Sequence, residues 1–301
     1  MKMDNIQKSS KMTIITCTGN YRKSKFFKIV NLISHFFKDD PNYKIFLSDE
    51  YLSKDINPNL FKNIISNNFN DCIENSDLIF SIGGDGTILS TVRKLYQNQI
   101  PVLGIHIGSL GFLAQCTEDS LIEALNCIKS NSYKNEKRIM LELKIDNKKY
   151  YALNDIVVDH GNSGRILKTK VYINNKHINN YESDGIIIST PTGSTGYSLS
   201  SGGPIITPEL SVFNITPISS HSLSARPIVL SSDKTISIKL SNPFIDGAIT
   251  VDGQERINLS KNSSIKIKKS IRSALLIQLP FNDYISTLKE KLGWSGNSKK
   301  Y

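Results

Sequence analysis

A chain of 301 residues exceeds what a single hydrophobic core usually fills, so two domains are expected. A hydrophobic content of 39% suffices for a globular protein, and no apolar run reaches the length of a membrane span, so no membrane partner is expected. The 37 basic and 27 acidic residues leave a formal charge of +10, which suits a protein handling polyanions, nucleotides as well as nucleic acids; without an arginine-rich arm or a basic stripe interleaved with aromatics, no nucleic-acid partner is expected.

The opening Met1-Lys2-Met3-Asp4 carries an acid and no apolar leader core, and Cys17, Cys72, Cys116 and Cys127 show no metal-ligand spacing, so a reduced, cytoplasmic protein is expected. A β-branched run at 13–18, with Cys17 as a buried strand residue, leads into a helical pattern of Phe26, Phe27, Val30, Leu32, Ile33 and Phe37, then a strand at Tyr43–Leu47. The alternation continues with a strand at 77–82, a helix at 87–96, a strand at Val102–Ile107 in which His106 reads as a strand-end residue, a glycine turn at 108–111 and a helix from about Ser120 to Lys129. This rhythm predicts an α/β, Rossmann-like domain over 1–134, with ligands beyond the carboxyl ends of its strands.

After about residue 135 the pattern changes to short β runs at 137–145, 148–159, 165–174, 185–190, 227–230, 234–240 and 246–251. They predict an all-β sandwich domain over 135–280. Tyr284, Ile285, Leu288, Leu292 and Trp294 form a partly helical pattern, so the tail 281–301 is expected to pack on the first domain, a peripheral helix being the equal alternative.

Two stretches carry chemistry. Gly83-Gly84-Asp85-Gly86-Thr87 follows the apolar run 77–82 and opens the helix of Ile88, Leu89, Val92 and Leu95. The glycines remove Cβ atoms that would block close approach, and the helix's first turn offers free N–H groups, which makes Gly83, Gly84, Gly86 and Thr87 candidates for binding phosphate. A carboxylate beside phosphates is repelled unless it meets a cation or a proton to abstract, which marks Asp85 for chemistry; a plain glycine turn with Asp85 as helix cap accounts for the same residues equally well. Residues 183–204 lead a strand into a hydroxyl- and glycine-rich segment too long for a simple hairpin, suited to ribose, phosphate or base edges. Ser194 and Ser198 lack the elbow of a hydrolase nucleophile, the five histidines form no zinc pair, and His221 reads as a structural hydrogen-bonder.

Gly83 to Thr87, Gly108 to Leu113, Ala152 to Asp155, Asp184 to Pro204, His221 to Pro227, Val251 to Gln254 and Lys291 to Ser295 together resemble the bacterial NAD kinases, in that family's order. The glycine-aspartate motif alone is shared with lipid kinases and phosphofructokinases; the Thr-Pro-Thr-Gly-Ser-Thr stretch separates this family from both.

The resemblance implies transfer of the γ-phosphoryl group of ATP to the 2′-hydroxyl of the adenosine ribose of NAD, giving NADP. Asp85 would accept the hydroxyl proton and Gly86 would contact the dinucleotide. Asn154 and Asp155 would hold ribose hydroxyls and the nicotinamide end, and Asp184 would lie near the nicotinamide. Thr195, Gly196, Tyr197, Ser198, Leu199 and Ser200 would line the dinucleotide pocket, with Tyr197 against a base and Ser200 as a donor. Gln254 is a further binding position, Phe112 would wall the adenine pocket, and Arg165 and Glu182 would approach the substrate. The resemblance also implies a divalent cation, Mg2+ carried with ATP, and a homo-oligomer, dimer or tetramer. The chain departs from the family at Asp155 (usually Glu), Gly196 (usually Ala), Ser109 (Asn or His) and Glu182 (basic in some members). The alternatives are a lipid or sugar kinase, and a sensor that binds NAD or NADP without turnover.

Overall fold

The computed structural model describes residues 12–48, 51, 64–108, 111–220, 222, 224–241, 247–260 and 263–294. The expectations for His221 and Ser109 lie outside the described residues. In chain order the first elements are β1 (Thr13–Gly19), α1 (Ser24–Phe37), β2 (Tyr43–Ser48), β3 (Ile64–Asn67), α2 (Phe69–Glu74), β4 (Leu78–Gly83), α3 (Asp85–Lys94), β5 (Val102–His106), β6 (Cys116–Thr117) and α4 (Leu121–Lys129). There follow β7 (Lys134–Arg138), β8 (Leu141–Ile145), β9 (Lys148–Ala152), β10 (Asp155–Asp159), β11 (Leu167–Ile173), β12 (Lys176–Ser183) and β13 (Gly185–Ser189). After a 3-10 turn at Thr192–Thr195 come α5 (Tyr197–Ser200), β14 (Val212–Ile218), β15 (Ile228–Ser231), β16 (Ile236–Leu240), β17 (Ala248–Val251), β18 (Glu255–Asn258), β19 (Ile265–Lys269), β20 (Ala274–Gln278) and α6 (Tyr284–Leu292).

Two compact units emerge: Met1–Thr91 with Ile100–Asn135 and Leu276–Tyr301, and Val92–Gln99 with Glu136–Leu275. In the first unit the parallel strands run in the order β3-β2-β1-β4-β5, the arrangement of a doubly wound sheet. β4 is buried at every position, as a strand covered on both faces must be. The core gathers Phe26, Ile29, Val30 and Ile33 of α1 against Ile15, Phe80, Leu103 and Ile105 of the sheet. Burial pushes the thiols of Cys17 and Cys116 up to about 12, so neither is a nucleophile.

The second unit is a sandwich of two six-stranded antiparallel sheets, β15-β14-β13-β10-β17-β18 and β12-β11-β16-β19-β8-β9. Alternate residues of both, among them Leu143, Ile156, Val171, Ile186, Phe213, Ile238 and Ile267, fill the space between them.

The division differs from the expected boundaries at 134/135 and 280/281 in two places. Leu276 pairs with Val102 of β5, so the chain rejoins the first sheet before residue 281. Residues 92–99 belong with the β unit, where the Tyr96 ring stacks on Tyr151 and its hydroxyl meets Ser270. The tail helix α6 is capped by Asp283, whose side chain accepts the N–H of Ser286, and ends at Gly293 in the left-handed region.

Candidate active site

In the first unit, Gly83 closes β4 opposite His106, which closes β5, so the segments after both strands leave the same edge of the sheet. Helix α3 begins at Asp85, two residues before the expected start. Asp85 does not cap its own helix. Its Oδ2 accepts the backbone N–H of Phe112 at 2.8 Å and its Oδ1 that of Leu113 at 3.2 Å, which ties the glycine-aspartate turn to the segment after β5. A Cβ on Gly111 would fall on the Asp85 carboxylate, so only glycine allows this approach. His106 stands at the strand end as expected; its Nδ1 accepts the N–H of Gly108 at 2.8 Å, and its Nε2 is the atom nearest to where a Cβ of Gly84 would be.

In the second unit, the expected single run at 148–159 is two strands in different sheets, and the chain crosses between them at Leu153 and Asn154. Thr190 fixes that crossing: its hydroxyl donates to the carbonyl of Leu153 at 2.5 Å and its N–H to that of Asn154 at 2.9 Å. A Cβ on Gly193 would fall on the Asn154 carbonyl. The segment read as an open loop is thus compact, a 3-10 turn followed by the single-turn helix α5 packed on the crossing. At Gly196 a Cβ would come no nearer than 3.4 Å to any atom, so the departure from alanine leaves only the room of a methyl beside Asn154 and Asp155.

These elements enclose a cleft of about 350 Å³ lined by Asn154, Asp155, Val157, Asp159, Tyr197, Thr250, Asp252 and Gly253. Tyr197, 48% exposed, presents its ring there. Burial, and then the neighbouring Asp252, push the Asp155 carboxyl up to about 7. The cleft therefore holds an apolar wall, a ring face, an amide and a carboxyl close to its titration point, a set suited to a ribose or a nicotinamide amide.

Other expected residues stand elsewhere. Ser198 is fully buried, taking a hydrogen bond from Asn214 and facing the hydroxyl of Thr216, because α5 turns that position into the sheet. Thr195 and Ser200 return their hydroxyls to carbonyls of their own turns, Thr192 and Tyr197. Leu199 is half-buried. Arg165 is exposed, Glu182 is exposed and paired with Lys168 at 2.7 Å, and Asp184 sits between β12 and β13 with its N–H on the carbonyl of Ile218. None of these three lines the cleft.

Two residues that hold the cleft together were missed by sequence reasoning. Arg93 pairs with Asp252 at 3.1 Å and donates to the Gln254 side chain at 2.7 Å. The Val-Asp-Gly-Gln stretch points to Gln254 alone, whereas Arg93 holds its aspartate as well. Among the described residues no group of three His, Cys, Asp or Glu side chains could hold a metal ion.

Comparison with known proteins bears on both units. Residues 27–133 match the family model of the ATP-NAD kinase N-terminal domain, and residues 153–279 that of the ATP-NAD kinase C-terminal domain. An NAD kinase of Geotalea daltonii is 38% identical over 251 residues, 81% of this chain and 88% of that protein. One of Clostridium botulinum is 41% identical over 222 residues, 72% of this chain and 79% of its own. Among solved structures, yeast NADH kinase complexed with NADH superposes with a TM-score of 0.85 at 26% identity, covering 97% of this chain and 91% of that one. An Archaeoglobus fulgidus NAD kinase in complex with ATP, at 22% identity and a TM-score of 0.72 over 93% of this chain and 99% of that one, shares the fold.

Proposed function

The chain belongs to the family of ATP-dependent NAD kinases, and from that membership we propose how its residues divide the reaction. The 2′-hydroxyl oxygen of the adenosine ribose forms a bond to the γ-phosphorus of ATP as the bond from that phosphorus to the β-γ bridging oxygen breaks. ADP leaves with that oxygen, and the hydroxyl proton passes to Asp85.

The observation that carries this reading is the mooring of Asp85. Each carboxylate oxygen takes one backbone N–H, which leaves a lone pair on each for a substrate hydroxyl and fixes the direction in which it points. A ribose hydroxyl is a poor nucleophile, so a base so placed is worth about 10²- to 10⁴-fold. We keep the start of α3, at Gly83, Gly84, Gly86 and Thr87, as the seat of phosphate, with one correction: the N–H of Thr87 is not free for it, since it and that of Ile88 donate to the Gly84 carbonyl. Asn154, Asp155 and Tyr197 take the ribose and nicotinamide end in the cleft of the second unit.

A divalent cation, Mg2+, would arrive with ATP and, bound beside its phosphates, would neutralise part of their charge. We place the reaction in the cytoplasm, where the four cysteines, none of them in a disulfide, would stay reduced. We also read the protein as a homo-oligomer, since Arg165, Glu182 and Asp184 lie off their own chain's cleft and a second copy is the simplest source of such groups.

Asp85→Asn tests the division of roles. Asparagine keeps an acceptor for one of the two loop N–H groups and leaves the cleft of the second unit untouched, so NAD binding by calorimetry stays within about threefold while NADP formation falls at least ~100-fold. A variant within about tenfold of wild-type turnover would contradict the base assignment.

A further inference from the structure

Four donors converge on the carboxylate of Asp252. Oδ1 accepts the backbone N–H groups of Asn154 at 2.8 Å and Asp155 at 3.2 Å. Oδ2 accepts that of Leu153 at 3.1 Å and the Arg93 guanidinium at 3.1 Å. The Asp252 side chain is wholly buried, and its own N–H returns to the carbonyl of Asp155 at 3.0 Å. Its backbone lies in the left-handed region, at φ 49°, a conformation that few residues other than glycine, asparagine and aspartate accept.

Such an arrangement is a poor source of stability. Removing a carboxylate and a guanidinium from water costs about what their attraction returns, and apolar replacements of such pairs are often neutral or better. It also sets a second buried carboxylate beside Asp155. What it does fix is direction. The crossing at 153–155 is pinned by three N–H groups to one side chain, and the Arg93 fork extends the same clasp to Gln254. The Asn154 side-chain oxygen at this crossing is buried and meets no hydrogen-bond partner, so the site keeps an acceptor in reserve for a ligand's donor.

We propose that Asp252 is a positioning residue for dinucleotide binding, acting through the backbone of Asn154 and Asp155 and, by way of Arg93, on Gln254. The inference rests on the reading of this cleft as the seat of the ribose and nicotinamide end.

The test uses the full-length protein and steady-state kinetics with Mg-ATP. Asp252→Asn keeps the volume and one acceptor but leaves buried donors short, which should raise the KM for NAD by about 10- to 100-fold. A residue that acts on ground-state binding leaves kcat within about threefold, and the KM for ATP should stay within about twofold. Because Asp252 works through Asp155, adding Asp252→Asn to Asp155→Asn should raise the KM for NAD much less than adding it to the wild type. A KM for NAD that is unchanged while the melting temperature falls would assign Asp252 a structural role alone, and fully multiplicative effects would also overturn the proposal. If Asp252→Asn does not fold, Arg93→Lys, which keeps the charge and loses the fork, decides in its place: a KM for NAD raised about threefold or more supports the proposal and an unchanged one contradicts it. Normal wild-type turnover with either contrary result removes this inference only; a wild type that makes no NADP removes the reading beneath it.

Discussion

Asp155 shows how a position changes a side chain's chemistry. Its carboxyl is raised to about 7 in the fold, first by burial and then by Asp252, against a carboxylate near 4 in the unfolded chain. Between those two values the folded protein holds a proton that the unfolded chain has released, so stability falls as the pH rises. The contribution is fully present below about pH 4 and is lost as pH passes through about 7. Asp155→Asn should therefore flatten the dependence of melting temperature on pH between about 5 and 7.5; parallel curves for the two proteins would contradict the assignment. The same residue marks what a sequence conveys. That position 155 carries a carboxylate was legible from the motif. Its proximity to Asp252, 97 residues away, depends on β10 pairing with β17, which no local pattern contains.

The elements were legible in proportion to their periodicity. Strands β1, β2, β4 and β5 and helices α1, α3 and α4 stood out because buried parallel strands are apolar throughout and their helices show one apolar face, whereas the short β3, α2 and β6 were not read from the sequence. Strands β12, β14, β18, β19 and β20 escaped notice: Lys176–Ser183 and Ile265–Lys269 are polar enough to resemble turns, and Ala274–Gln278 falls in a stretch expected to belong wholly to the sandwich. The hydroxyl-rich segment hid its helical turns because serine, threonine and glycine are weak helix formers, and packing on the 153–154 crossing overrides them. Gly111 ties element geometry to chemistry. With no room for a Cβ beside the Asp85 carboxylate, Gly111→Ala must displace either the loop or that carboxylate, and if Asp85 is the base as proposed, displacement by about an ångström costs on the order of 10²-fold in rate. Turnover should fall by at least about tenfold with the melting temperature nearly unchanged; a fully active variant would show that the loop need not hold Asp85.

At the scale of the whole molecule, each unit has its own core: the first holds the Asp85 carboxylate at the carboxyl edge of a parallel sheet, the second the cleft of Asn154, Asp155 and Tyr197, and the proposed function assigns the base to the one and the dinucleotide to the other. The exposed Arg165 and Glu182 and the half-buried Asp184 do not line that cleft, and the proposed homo-oligomer would give them a substrate to meet: sedimentation at micromolar concentration should find a dimer or tetramer, and a monomer with full activity would return those residues to a role in the surface alone. The excess of ten positive charges suits triphosphate and pyrophosphate groups without naming them. The most direct measurement is to supply the wild-type protein with NAD and Mg-ATP and follow ADP and the dinucleotide product, locating the new phosphate by phosphorus NMR. The account predicts one NADP for each ADP, with the phosphate on the 2′-oxygen of the adenosine ribose and no product when the divalent cation is chelated. ATP consumed without NADP, or NAD bound with no ATP consumed, would contradict it.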